Sequence, residues 1–318
     1  MSPFLKALVT GGAGFIGRRL VEQMRQVGWT VTVLDVAAPP AGFDPALVYV
    51  QGSVLDDALT DRLIGEAERV IHLAGIAEPM RYGSHPLETM DVNLLGSINV
   101  AKACARHDRP LLFASTSEIY GVNPNVPWRE NADRILGPVA NVRWCYSSAK
   151  AAAEHYLDAL RRQLGLKYAV VRLFNAYGPG LRGRVVDGFV AAALADQPLV
   201  IHGDGLQTRC FCYVDDVVEA LMAIITSPMD RGGVYNVGVE EETSVLDLAR
   251  KIIHLARSTS RLDVIPYDQL YDGYQDIVRR QPNTQALRDD FGWAPRTSLE
   301  DGLALMIEVQ RQEHSHVG

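Results

Sequence analysis

Cysteine is scarce in this chain: there are four, Cys104, Cys145, Cys210 and Cys212, and no two stand in a CxxC spacing. That argues against a disulfide-stapled scaffold and against a zinc ribbon, and makes reduced thiols the default. Cys210 and Cys212 flank Phe211 in an alternating run, read here as strand residues rather than a metal pair, so no metal is expected. Basic clusters are missing too. With a net charge of −7 and no Lys/Arg block, the chain offers no docking face to nucleic acid or an anionic membrane. Any anion it binds must be met by single arginines and backbone amides. No apolar run approaches the roughly 18 residues of a membrane span, and no basic-then-apolar segment opens the sequence. A cytoplasmic location without a membrane partner is the expectation. Internal repeats and low-complexity tracts are absent.

What is present is alternation. Short Val/Ile/Leu runs, at Leu5–Thr10, Thr30–Asp35, Leu47–Val50, Arg69–Leu73, Pro110–Ala114 and Tyr168–Leu173, read as strands. Helix-period segments fill the gaps, the longest being Pro86–His107 and Tyr146–Gln163. Runs apolar on both faces between helices predict an α/β protein with a doubly wound parallel sheet covered on both sides. After about Asn175 glycine and proline become frequent, which predicts a smaller mixed α/β lobe over 175–318, joined without a flexible linker to a first domain over 1–174. Part of that second stretch is expected to cross back to the first sheet. The end, from Glu313, is expected to fray.

The first strand runs into Thr10-Gly-Gly-Ala-Gly-Phe-Ile-Gly17, a Gly11-x-x-Gly14-x-x-Gly17 spacing. Such glycines let a backbone turn tightly and approach a pyrophosphate, whose charge sits on the amides and dipole of the following helix. A lone triplet is weak evidence. This one follows a strand, opens a helix and precedes a second strand ending in Asp35, the context that the dinucleotide fingerprint requires. A carboxylate at Asp35 would accept from both adenosine ribose hydroxyls and repel a 2′-phosphate, so NAD is expected over NADP. The expected cofactor set is Gly11, Gly14, Phe15, Ile16, Gly17 and Asp35, with Ser53 and Val54 flanking the adenine.

Tyr146-Ser-Ser-Ala-Lys150 places a phenol and an ammonium four residues apart, on one helix face. A nearby cation favours phenolate and would draw a phenol with an ordinary pKa of about 10 toward neutrality. A phenolate can take a hydroxyl proton while hydride leaves the carbon.

With these two motifs in hand, the chain resembles the extended short-chain dehydrogenase/reductases that modify nucleotide sugars. The matching stretches are "TGGAGFIG", "HLAG" (72–75), "NLLGSINV" (93–100), "STSEIYG" (115–121), "YSSAK", "RLFNAYGPG" (172–180), "GDGLQTRCFCYVDD" (203–216) and "YNVG" (235–238). The resemblance implies a Rossmann lobe, a tightly held NAD and transient oxidation of a sugar at C4. It puts Tyr146 as base, Thr116 or Ser117 on the reacting hydroxyl, and Lys150 also on the nicotinamide ribose. Asn175, Arg209 and Arg280 are its candidate contacts along a sugar-diphosphate channel, where a planar guanidinium suits phosphate oxygens. A UDP-sugar substrate and a homodimer, formed through the helices near 86–107 and 146–163, are further family expectations.

Which reaction follows C4 oxidation turns on Glu118. The resemblance implies a small or hydroxylic residue there in 4-epimerases and an Asp–Glu pair in 4,6-dehydratases. Here position 117 is Ser, so half of that pair is missing. "TSE" resembles the nucleotide-sugar glucuronate decarboxylases, as does Arg143 three residues before Tyr146. "DGYQDIVRRQP" (272–282) resembles the aminoarabinose-pathway decarboxylase domain and puts Arg280 on its arginine implicated in catalysis. A UDP-glucuronate decarboxylase leads, with UDP-sugar 4-epimerase and dehydratase readings open, and a catalytically silent NAD- or sugar-binding protein as the reading of another class. Departures from the family pattern are Gly75 in "HLAG" and Ser53. Glu78 and Arg81, in the loop 76–86, are candidates to face the sugar; His72 and His85 are read as structural.

Overall fold

The computed structural model describes residues 5–40, 42–44, 47–230, 232–266 and 276–315. Six expected strands are all present, with ends shifted by a residue or so: β1 (Lys6–Thr10), β2 (Thr30–Asp35), β3 (Val48–Gln51), β4 (Arg69–His72), β5 (Leu111–Thr116) and β6 (Tyr168–Leu173). A seventh, β7 (Gly233–Val237), comes from the second half of the chain and pairs with β6. The order across the sheet is β7-β6-β5-β4-β1-β2-β3, with every pairing parallel.

This is a doubly wound Rossmann sheet. Ala7 and Val9 of β1 enter one core cluster and Leu8 enters the other, because successive side chains point to opposite faces. In β5 every residue is buried, as its unbroken apolar run predicts. The order reverses between β1 and β4, and the crevice beyond the carboxyl ends of those strands is where such sheets bind ligands.

Helices α1 (Phe15–Gln26) and α2 (Asp57–Glu66) follow β1 and β3. The segment expected as one helix from Pro86 to His107 is instead divided. A short helix α3 (Pro79–Ser84) precedes α4 (Pro86–Met90), a π-helical turn (Asp91–Gly96) and α5 (Ser97–Arg106). The wider turn has a visible cause. Asn93 Nδ2 donates to the carbonyls of Thr89 and Ile76, and the Ser97 hydroxyl donates to the Asn93 carbonyl. Helix α6 (Trp144–Leu164) is longer than its apolar period suggested and ends on Gly165 in the left-handed conformation.

The remaining residues add short strand pairs: Leu199–His202 with Leu262–Ile265, Ala176–Tyr177 with Cys212–Tyr213, and Thr208–Arg209 with Thr243–Ser244. The expected fraying from Glu313 is replaced by helix as far as Ser315, within the element Leu299–Ser315; residues 316–318 lie outside the described residues. Among the described residues no helix is long and apolar enough to cross a membrane, and no group of three or more potential metal ligands forms.

Candidate active site

The turn after β1 is built for close approach. Gly11 has φ +73°, and a Cβ there would stand 2.6 Å from the Ala74 backbone nitrogen. A Cβ on Gly17 would run into the backbone of Gly11 and Gly12, so helix and turn touch only because this residue has none. Gly14 differs. A Cβ there meets only the Gly11 carbonyl, at 3.2 Å, and otherwise faces open space. The amide end of α1 has no side-chain cap and no acidic residue in its first turn, leaving Phe15 and Ile16 at an open positive dipole. Asp35, at the end of β2, is oriented by amides of Ala13 and Ala37, each donating at 3.0 Å to a different carboxylate oxygen. An uncapped helix end, a glycine surface open to a ligand and an aimed carboxylate fit a dinucleotide.

The two residues expected beside the adenine fare differently. The Ser53 hydroxyl accepts from the Leu55 amide at 3.1 Å, in the turn before α2. Val54 packs its side chain into the core, and Asn99 binds its carbonyl at 3.1 Å, so only main chain is left there to border a base.

Strand β5 delivers the next group. The Thr116 hydroxyl accepts from the Glu118 amide at 3.1 Å and turns the chain into a 3₁₀ turn, Ser117–Tyr120. Tyr146 and Lys150, on α6, are both buried, at 6% and 3% exposure. Lys150 Nζ donates to the Ala114 carbonyl at 2.9 Å and lies 4.7 Å from the centre of the Phe113 ring. Thr116 hydrogen-bonds Tyr146. The expectation that Lys150 would draw the phenol toward neutrality is not met by the chain alone. Burial, and then the charge of Glu118, push Tyr146 up to about 12, against the Thr116 hydrogen bond and the charges of Arg184 and Arg280. Burial lowers Lys150 to about 8, opposed by Glu154.

Glu118 itself is the centre of a charge cluster. Its Oε1 lies 3.4 Å from an Arg280 terminal nitrogen and 3.6 Å from one of Arg143. Burial acts to raise its pKa, but Arg143, Arg280, Arg184 and Arg209 together bring it below the ordinary carboxylate value. Glu118 is therefore ionised at neutral pH. Among the described residues its other oxygen, Oε2, is buried without a hydrogen-bond partner, and so is Arg280 Nε. Burial lowers Arg280 to about 10, with Glu118 opposing.

Asp276 completes the cluster. It holds Arg143 at 3.1 Å and both of its oxygens meet Arg209, at 3.0 and 3.1 Å. Four guanidiniums thus surround two carboxylates.

Sequence reasoning did not single out Asp276, Arg184 or Tyr82. Arg184 donates to the Ala77 carbonyl and faces Glu118, Tyr82 and Tyr146. The Tyr82 ring stacks on that of Tyr146. The only signal for these was proximity in the fold, apart from the likeness of "DGYQDIVRRQP", whose residues 272–275 lie outside the described residues.

Other candidates sit elsewhere. Arg81 makes an exposed ion pair with Glu88 at 2.6 Å, and Glu78, exposed, directly precedes α3 next to Ala77, whose carbonyl Arg184 holds. Asn175, at φ +33°, directs its amide toward the Cys210 carbonyl at 3.5 Å. Ser117 is buried beside Glu118. His72 is a buried, neutral link between Thr10 (2.7 Å) and Ser97 (3.0 Å), and His85 is exposed. Gly75 has a reason: a Cβ there would stand 2.6 Å from Asn93 Oδ1.

Comparison with known proteins bears on the family and the fold. The model of the "NAD dependent epimerase/dehydratase family" matches residues 7–238. A UDP-N-acetyl-alpha-D-glucosaminuronate decarboxylase from Bacillus cytotoxicus is 33% identical over 317 residues, covering 96% of this chain and 98% of that protein. UDP-glucuronic acid decarboxylase 1 from Danio rerio is 32% identical over 317 residues, covering 98% of this chain and 74% of its own. Among solved structures, a UDP-glucose 4-epimerase with UDP-glucose from Thermotoga maritima superposes with a TM-score of 0.88 at 28% identity, covering 98% of this chain and 100% of its own.

Proposed function

Because the chain belongs to the NAD-dependent epimerase/dehydratase family and is an NAD-dependent nucleotide-sugar-modifying enzyme, we propose that it decarboxylates a UDP-hexuronate, with UDP-glucuronate the first substrate to test. The observation that carries this reading is the state of Glu118 and Arg280. A buried acceptor and a buried donor, Glu118 Oε2 and Arg280 Nε, have no hydrogen-bond partner among the described residues and lie beside Tyr146. Such groups are costly unless a ligand satisfies them. The surrounding arginines outnumber the carboxylates, which suits a substrate carrying a diphosphate and one further carboxylate.

NAD, held by the Gly11–Gly17 turn and Asp35, would supply a hydride acceptor for C4 and a positive charge. Tyr146 takes the C4 hydroxyl proton, and Thr116 hydrogen-bonds the same oxygen. The C5 carboxylate is then that of a β-keto acid. The bond between C5 and the carboxyl carbon breaks, CO2 leaves, and the electron pair passes to the C4 oxygen held by Thr116 and Tyr146; C5 then takes a proton from water to give the 4-ketone, and return of hydride to C4 with the Tyr146 proton would give the pentose. Arg143 and Arg280 grip the carboxylate beforehand. Glu118, being ionised, accepts a hydrogen bond from the sugar rather than donating one. Asn175 and Arg209 serve the diphosphate side.

The test is chromatographic separation, which resolves epimers, followed by mass analysis of products from UDP-glucuronate, UDP-N-acetylglucosaminuronate and UDP-glucose incubated with the protein and NAD. Release of CO2 with a UDP-pentose or its 4-ketone is the expected result. UDP-galacturonate of unchanged mass as the sole product would instead make it a 4-epimerase, the reading that the Thermotoga maritima likeness favours.

A further inference from the structure

Helix α6 carries a third buried polar residue on the face of Tyr146 and Lys150. Glu154 follows Lys150 by four residues, as Lys150 follows Tyr146. Its Oε1 accepts from the Ser115 hydroxyl at 2.5 Å and from Arg172 Nε at 3.1 Å. Its Oε2 accepts from Arg172 and from Arg134, both at 2.7 Å. Ser115 immediately precedes Thr116 on β5, Arg172 lies on β6, and Arg134 lies in the segment between β5 and α6. One carboxylate therefore ties α6 to both neighbouring strands and to that segment.

Two further ties join α6 to β5 on this face, Lys150 to the Ala114 carbonyl and Tyr146 to Thr116. Together they set how far α6 stands along β5. A helix advances about 1.5 Å per residue, so a slip of one residue would separate Tyr146 from Thr116. Charge matters as well. Lys150 faces His72 from β4, which is neutral, and the Phe113 ring and Ala114 carbonyl from β5. Across Gly75 it approaches Asn93 of the π-helical turn, and on its own helix it lies between Tyr146, neutral in the chain alone, and Glu154. Glu154 is the only anion among these groups.

We propose that Glu154 is a positioning residue for the Tyr146–Lys150 pair, fixing the register of α6 over Thr116 and supplying the counter-charge of the buried Lys150 ammonium. The inference rests on the roles given above to Tyr146 and Lys150.

The test uses Glu154→Gln together with Arg172→Met, so that no buried arginine is stranded, and Ser115→Ala, which removes one hydrogen bond and no charge. The chain has only five lysines, so 13Cε-lysine NMR follows Lys150 directly, its signal identified by its loss in Lys150→Met. In the double variant the Lys150 midpoint, read against Arg172→Met alone so that only the Glu154 charge differs, should fall by about one pH unit, and the alkaline limb of kcat on UDP-glucuronate should fall with it. Ser115→Ala should leave the midpoint in place and lower kcat several-fold at every pH. An unmoved Lys150 midpoint in the double variant, or an unchanged kcat in Ser115→Ala, would overturn the proposal. Should the double variant not fold, Ser115→Ala decides by itself. The lysine titration needs no substrate, so a wild-type protein inert toward every nucleotide sugar would count against the proposed reaction and not against this result.

Discussion

The ring of Tyr82 lies flat against that of Tyr146, centroids 4.8 Å apart and planes 10° from parallel. Tyr82 is buried, and burial with the neighbouring Tyr146 and Glu118 pushes its own phenol far up, so it stays neutral. A neutral ring stacked on the proposed base holds that base in one rotamer and keeps water from one of its faces.

Tyr82→Ala would leave a cavity against Tyr146 and cost roughly 3–5 kcal/mol of stability. It should also lower kcat, with Tyr146 free to turn. Tyr82→Phe keeps the stacked ring and should retain kcat within about threefold. Thermal unfolding and steady-state kinetics of both variants check this; equal losses in the two would show that the hydroxyl, not the ring, is what matters.

Glu118→Gln keeps the shape between Arg143 and Arg280 but removes the charge. A loss in kcat of up to roughly 100-fold is expected, the size of one lost hydrogen bond between the sugar and a charged group. Stability should change with a definite sign. The folded-state pKa of Glu118 is lowered by its arginines. Its charge therefore contributes stability that is fully present above the ordinary carboxylate pKa and is lost as pH falls through the lowered folded value. Denaturation curves should show the wild type losing more stability than Glu118→Gln between neutral pH and that acid range. Parallel curves for the two would contradict the pairing.

Gly14→Ala and Gly17→Ala should separate folding from cofactor binding. An added methyl at position 17 would meet the backbone of Gly11 and Gly12, which cannot move aside, so both stability and NAD affinity should collapse. At position 14 it meets one carbonyl at 3.2 Å and otherwise occupies the open side of the turn. The protein should fold with near-normal thermal stability but bind NAD at least about tenfold more weakly, because a methyl would stand where the pyrophosphate must approach. Calorimetric titration with NAD on both variants measures the difference; normal NAD affinity in Gly14→Ala would move the cofactor away from this turn.

The central sheet was legible before any coordinates because its signals are local. β5 and β6 are apolar on both faces, glycines mark the turn after β1, and Asp35 closes β2; each is a short-range pattern with one physical reading. The break at Asp91–Gly96 was not legible. It depends on Asn93 reaching Ile76, a partner seventeen residues earlier that no helical period reveals.

The same division runs through the site. Thr116, Glu118, Tyr146 and Lys150 stand out by their chemistry and spacing, and so were chosen from the linear chain. The ionisation of that set belongs to the tertiary structure, because burial and the approach of distant charges decide it. Glu118 stays below the ordinary carboxylate pKa in spite of its burial because arginines, Arg143 and Arg280 foremost, converge on it, these two from 25 and 162 residues away. Tyr146 moves up to about 12 rather than toward neutrality because its burial, and then that same carboxylate, outweigh the cations nearby. Residue types and their periods determined which groups are available and which strand or helix carries each. Only the packed fold decided which charges face one another, since energies of buried charges depend on separations that sequence distance does not set.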